Sequence, residues 1–174
     1  NLAMLLRHSD RIMANSLNTR RDVIETAIDI GVEIGPVEVV RLGDDSVGIV
    51  DEPSQFEESA SEKYRWLLDE TFILNVGAIH ARKNQAMLYQ VWRRMAREMG
   101  KKCPHLVIVG GIAWLGDLIG RAFASDPEVR DRVHVLSSVD DDFLDDLYAY
   151  CQFTVYPSLY EGWGLPITES LKAG

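Results

Sequence analysis

Two glutamates lie eight positions apart near the end of the sequence, Glu161 and Glu169, with Gly162, Trp163, Gly164, Leu165 and Pro166 among the residues between them. A carboxylate accepts hydrogen bonds through two oxygens, so it can hold two neighbouring hydroxyls of a sugar ring at once. Gly162 and Gly164 have no side chain to cover their backbone N–H groups. The spacing therefore permits a site in which the carboxylates hold one ribose and one further sugar, with glycine amides facing phosphate between them. Blander readings compete. Glu169 falls in the first turn of a predicted helix, where a negative charge complements the helix dipole. Glu161 can equally be an exposed loop residue, and Trp163 a packing aromatic.

A phosphate needs cations or uncovered N–H groups. The stretch NVGAIHARKNQ (75–85) offers both, because Gly77 ends an apolar run and Arg82 and Lys83 precede a helix expected to start at Asn84. The competing reading is a solvated Arg-Lys turn. In VIVGGIAW (107–114), Gly110 and Gly111 let a backbone approach a ligand or simply turn the chain. Neither G-x-G-x-x-G nor a Walker A pattern occurs. Asp140, Asp141 and Asp142 invite a metal reading, but acidic residues before a helix are explained more simply as its cap.

These loops need strands to carry them. Short runs at 11–15, 37–42, 72–77, 105–110, 132–136 and 152–157 read as buried parallel strands. Helical periodicity occupies 16–30, 84–99, 113–124, 140–150 and 166–173, with Pro166 suited to a first helical position, and 62–68 also looks helical. The alternation predicts an α/β fold with a Rossmann-like, doubly wound parallel sheet. Ligands of such sheets bind beyond the carboxyl ends of the strands, where all four loops fall. The Asp/Glu/Ser-rich stretch 43–61 reads as a hinge. The expected division is 1–42 as the end of a preceding domain, 43–69 as linker, and 70–174 as a truncated ligand-binding domain.

Composition narrows the partners. A formal charge of −9 disfavours nucleic acid. No apolar run approaches the roughly 20 residues of a membrane span, and Asn1 to Arg11 lacks the pattern of a secretory signal. Both ends read as cut. The expected location is the cytoplasm, with any peripheral membrane contact made by regions outside this stretch. Cys103 and Cys151 lack metal-ligand spacing and read as free thiols.

The segment YPSLYEGWGLPITESLKAG (156–174) closely resembles the signature of retaining, nucleotide-sugar-dependent glycosyltransferases of the GT-B type, the glycosyl transferases group 1 family. SDRIMANSLNTRRDVI, VEVVRLGDD and FILNVGAIHARKNQAML fit the same pattern in the right order. The resemblance implies a two-domain protein whose C-terminal domain holds the donor, a nucleoside-diphospho-sugar, without metal or other cofactor. Similarity alone puts GDP-mannose first, with a saccharide or lipid-linked acceptor. It implies that Lys83 contacts the diphosphate, helped less certainly by Arg82, in the loop opened by Gly77. It implies that Glu161, beside Gly162, faces the donor sugar near the reacting carbon, and that backbone amides of Trp163, Gly164 and Leu165 face sugar and phosphate. Glu169 would hold the ribose, and Leu136, Ser137, Ser138 and Val139 would flank the base. Lys83 and Glu161 are thus the expected catalytic residues.

Two departures stand out. Many members have Arg directly after the glycine matching Gly77, whereas this chain has Ala78, and whether Arg82 compensates is left open. The family's acceptor-side histidine precedes Asn1, and His8 does not match it, so the stretch is not expected to turn over alone. A nucleotide-sugar-binding module without catalysis is the alternative. A glycosidase using Glu161 and Glu169 is weaker, because a helix N-terminus favours an ionised Glu169 and a general acid needs a raised pKa.

Overall fold

The computed structural model describes residues 2–43, 60–113 and 116–174. Their contacts group them into two units, 2–43 with 161–165, and 60–160 with 166–174. Most of the hinge read at 43–61 lies outside the described residues.

The first unit contains α1 (Leu2–Arg7), β1 (Ile12–Ala14), α2 (Leu17–Asp29) and β2 (Val37–Val39). β1 and β2 run parallel, with Ile12 opposite Val37 and Ala14 opposite Val39. Each pairs over three residues, less than the runs at 11–15 and 37–42 predict. The polar end residues leave the ladder: Arg11 forms an exposed ion pair with Glu38, and Asn15 turns the chain into α2 by accepting a 2.7 Å bond from the Thr19 hydroxyl. Ser16 caps α2 by accepting from the Thr19 N–H. Leu6, Ala27 and Val32 form a small core.

In the second unit, α3 (Ala60–Tyr64) runs into a 3₁₀ turn at Arg65–Asp69. β3 (Phe72–Val76), α4 (Gln85–Met99), β4 (His105–Val109), α5 (Asp117–Ser125), β5 (Val133–Leu136), α6 (Asp141–Tyr150) and α7 (Leu165–Ala173) follow. The three strands form a parallel sheet in the order β3-β4-β5. Every residue of β4 is buried, as the apolar run from Leu106 to Val109 predicts for a strand covered on both faces. Leu106 and Ile108 pack with Leu88 and Trp92 of α4 and Phe123 of α5. Val107 and Val109 pack with Leu67, and with Phe143 and Leu147 of α6. Helices on both faces of a parallel sheet make a doubly wound, Rossmann-like α/β arrangement.

The run at 152–157 differs from its reading as a full strand. It lies along β3 through Gln152 N–H to Phe72 O, Leu74 N–H to Phe153 O and Val155 N–H to Leu74 O, but makes a single bridge, Leu74 with Thr154. Phe153 is exposed, and Pro157 has no N–H with which to extend the ladder. α5 also begins later than predicted, at Asp117. Gly110 to Ala113 instead continue beside Gly77 to Ile79, with Ile79 N–H bonded to Gly111 O and Ala113 N–H to Ile79 O.

Candidate functional site

The loop after β3 is built by two glycines back to back. Gly77 and Gly110 both have left-handed φ, 142° and 145°. A Cβ on Gly110 would lie 2.5 Å from the carbonyl carbon of Gly77, so only glycine lets the two strand ends meet. Beyond them, residues 81–83 form a 3₁₀ turn, and Asn84 adopts φ 57° before α4 starts at Gln85. The sequence places the first helical residue at Asn84. Its left-handed conformation instead separates Arg82 and Lys83 from the helix, and its side chain leaves the cap to donate to Pro157 O at 3.3 Å. Gln85 is buried and braces the loop from inside, donating to Ala78 O at 3.1 Å.

Lys83 folds back over Gly77. A Cβ there would sit 3.5 Å from the lysine Cε and Nζ. Nζ donates to the Tyr156 hydroxyl at 3.1 Å and lies 5.0 Å from that ring's centre. Arg82 donates through Nη1 to Tyr160 O at 2.5 Å, while its own carbonyl accepts from Leu159 N–H at 2.9 Å. The 80–84 turn is thus clasped to the loop 156–160, and the guanidinium is engaged there at the position where compensation for Ala78 was left open.

Glu169 lies in α7, half-buried, and accepts from the Tyr148 hydroxyl at 2.8 Å. The next residue, Ser170, meets the Thr154 hydroxyl at 2.8 Å. α7 begins at Leu165, so Pro166 takes the second helical position, still within the first turn where its missing N–H is harmless. Tyr148 and Tyr156 line one cavity of about 300 Å³ with Val76, Ile167 and Leu171, a mostly apolar space between the end of β3 and α7. Leu136 is buried at the end of β5, where its carbonyl accepts from Gly110 N–H at 2.8 Å. Ser137 and Ser138 are exposed and Val139 is half-buried. Asp140 caps α6, accepting from Phe143 N–H at 2.8 Å and from the Ser61 hydroxyl. The Ser61 bond comes first in holding its carboxyl below the usual carboxylate range. Asp141 and Asp142 occupy the first helical turn.

Residues 161–165 group with the first unit. A Cβ on Gly162 would come within 3.0 Å of the Asn15 amide, so the glycine allows close packing at the start of α2. Trp163 lines a depression of about 430 Å³ with Ser16, Leu17, Asn18 and Arg41, and its buried Nε1 has no hydrogen-bond partner among the described residues. Gly164 is buried with φ 95°, Leu165 is exposed, and Glu161 is half-buried.

The family model for glycosyl transferases group 1 matches residues 56–174. The chain belongs to this family. Among curated relatives, the O-antigen chain mannosyltransferase B of Escherichia coli is 32% identical over 113 residues, 65% of the chain and 29% of the relative. The serotype-specific mannosyltransferase WbdA of Escherichia coli is 27% identical over 169 residues, 95% of the chain and 20% of the relative. The chain thus spans less than a third of either protein. The α,α-trehalose-phosphate synthase (UDP-forming) from Burkholderia vietnamiensis shares the fold, with a TM-score of 0.65 at 11% identity over 98% of the chain and 46% of that structure.

Three residues of the site escape a reading by motif. Tyr148, Tyr156 and Gln85 each look like ordinary core or helix residues in the sequence. Only the pattern of a tyrosine amid apolar neighbours, whose buried hydroxyl must find a partner, hints at the first two.

Proposed function

We propose that the protein containing this chain transfers a hexose of mannose or glucose type from a nucleoside-diphospho-sugar to a sugar or lipid-linked acceptor, with retention of anomeric configuration and without metal. The observation that carries this reading is Lys83, held by Tyr156 across Gly77 at the carboxyl end of the sheet. Departure of a nucleoside diphosphate builds negative charge on its phosphates. A cation already fixed there stabilises the transition state more than the ground state. Lys83 therefore acts by charge, without transferring a proton. In the same reading Glu169 takes the ribose hydroxyls, and Leu136 to Val139 flank the base. Glu161 meets the donor sugar's hydroxyls, and the amides of Trp163, Gly164 and Leu165 meet sugar and phosphate. The mannosyltransferase names of the two bacterial relatives support mannose, and hence GDP-mannose as the first donor to try. The "UDP-forming" name of the structural neighbour supports a nucleoside diphosphate as leaving group.

A panel of UDP-, GDP- and ADP-sugars followed by thermal shift tests the donor class. A ligand at 100 times its dissociation constant stabilises by about 2.7 kcal/mol. Binding of none of them refutes the proposal. A chelator is expected to leave the affinity unchanged, and a loss would return the aspartates at 140–142 to consideration as metal ligands. The second reading, donor binding without transfer, is favoured by Ala78 in place of the arginine expected from family resemblance. Release of nucleoside diphosphate in the presence of acceptor separates the two.

A further inference from the structure

We propose that Tyr148 is a positioning residue for Glu169: its hydroxyl holds one carboxylate oxygen so that the other is presented to the ribose diol. The proposal rests on the ribose role of Glu169 given above. Tyr148 comes from α6 and packs its ring in the core with Leu74, Val107, Phe143 and Leu147, only 8% exposed. Phenylalanine would fill that space without burying a hydroxyl, so the hydroxyl needs a partner. Its partner is Oε2 of Glu169, at 2.8 Å. A ring fixed by core packing has little freedom, so the donor points in one direction. The carboxylate of a helix surface glutamate otherwise samples several rotamers, and ordering it on binding costs affinity. Burial, and then the bond to Glu169, push the phenol far above its ordinary value, so the hydroxyl keeps the proton it donates. Ser170, bonded to Thr154, ties the same turn of α7 down. Oε2 is engaged, while Glu169 makes no other side-chain hydrogen bond or ion pair among the described residues. Oε1 is therefore available to accept from a ligand hydroxyl.

The test uses the full-length protein. UDP, GDP and ADP are first compared by calorimetry, and the tightest is then paired with its 2′-deoxy analogue. The wild type is expected to prefer the ribonucleotide by roughly tenfold, the worth of one hydrogen bond to a charged group. Glu169→Gln should abolish most of that preference. Tyr148→Phe should reduce it to about threefold or less by weakening the ribonucleotide more than the 2′-deoxy analogue, which keeps its 3′-hydroxyl. Tyr148→Met, also without a hydroxyl, replaces it if the phenylalanine variant does not fold. If Glu169→Gln removes the preference and Tyr148→Phe does not, the positioning role is overturned and the ribose role stands. If Tyr148→Phe weakens both nucleotides equally, the tyrosine is merely structural and the proposal also fails. If Glu169→Gln leaves the preference intact, the ribose role itself is wrong and the positioning role falls with it.

Discussion

Lys83 shows how one side chain becomes useful through its neighbours. A free lysine samples many rotamers, and holding it costs entropy on binding. Here the Tyr156 hydroxyl and ring already hold the ammonium over Gly77. Lys83→Ala is therefore expected to weaken nucleoside-diphosphate binding by roughly 1.5–3 kcal/mol, the usual worth of a hydrogen bond to a charged group. Unchanged affinity in calorimetry removes Lys83 from the site. Lys83 and Glu169 could be singled out from the sequence because a basic turn after a glycine-ended strand and a carboxylate in the first turn of a predicted helix are local patterns. Tyr148 and Tyr156 could not, since their partners lie 21 and 73 positions away, and only folding brings them within reach.

Among the elements, the ends of β3 and β4 are the most constrained. Gly110 combines a left-handed φ with direct backbone contact, whereas a Cβ on the adjacent Gly111 would meet nothing within 4 Å. Gly110→Ala should thus cost about 3 kcal/mol or more, and Gly111→Ala should stay within about 0.5 kcal/mol. Urea unfolding measures both, and equal effects would contradict the back-to-back packing. At α6 the Asp140 cap gives a smaller effect. Asp140→Ala should cost about 1 kcal/mol in the same experiment, and no loss would mean that the cap is not formed in solution. That glycines interrupt the chain at 110 and 111 is plain from the sequence. Which of them is indispensable follows only from the approach of another strand end.

For the molecule as a whole, pH dependence in the mildly acidic range is set by a histidine pair on neighbouring strands, the buried His105 of β4 and the half-buried His134 of β5. Arg132 can only donate, so Nε2 of His105, at 3.0 Å, must accept. Nδ1 of His105 then carries the proton and donates to Nε2 of His134 at 2.8 Å. Trp66 stands edge-on to both rings, and Tyr64 is tilted against His134. A further proton on either ring has no acceptor along this chain. Burial, then His105 and Arg132, push His134 down to about 4, with Asp131 opposing. Burial and Arg132 also lower His105, with Glu70 opposing. Both sit below the ordinary value of about 6.5 that the unfolded chain keeps. The unfolded state therefore binds more protons between the two values, and stability falls as the pH drops from about 6.5 toward 4. Urea midpoints measured across that window should decline, and His134→Phe should flatten the decline. A flat wild-type profile would show that the pair is not held neutral.

The sequence by itself determined the alternation of strands and helices, the layers they form and the family, because apolar periodicity and glycine-rich turns are local. It placed β3, β4, β5 and the helices around them, and it named the loops where a donor is expected. It overextended the run at 152–157, where pairing depends on a neighbouring strand, and it started α4 one residue early, because the left-handed turn at Asn84 is stabilised by Pro157 from across the fold. Only the tertiary structure decided which hydroxyl holds Lys83, which holds Glu169, and which two histidines share a proton. Those contacts join residues far apart in the chain, and no local rule of propensity or spacing encodes a hydrogen bond made across a core.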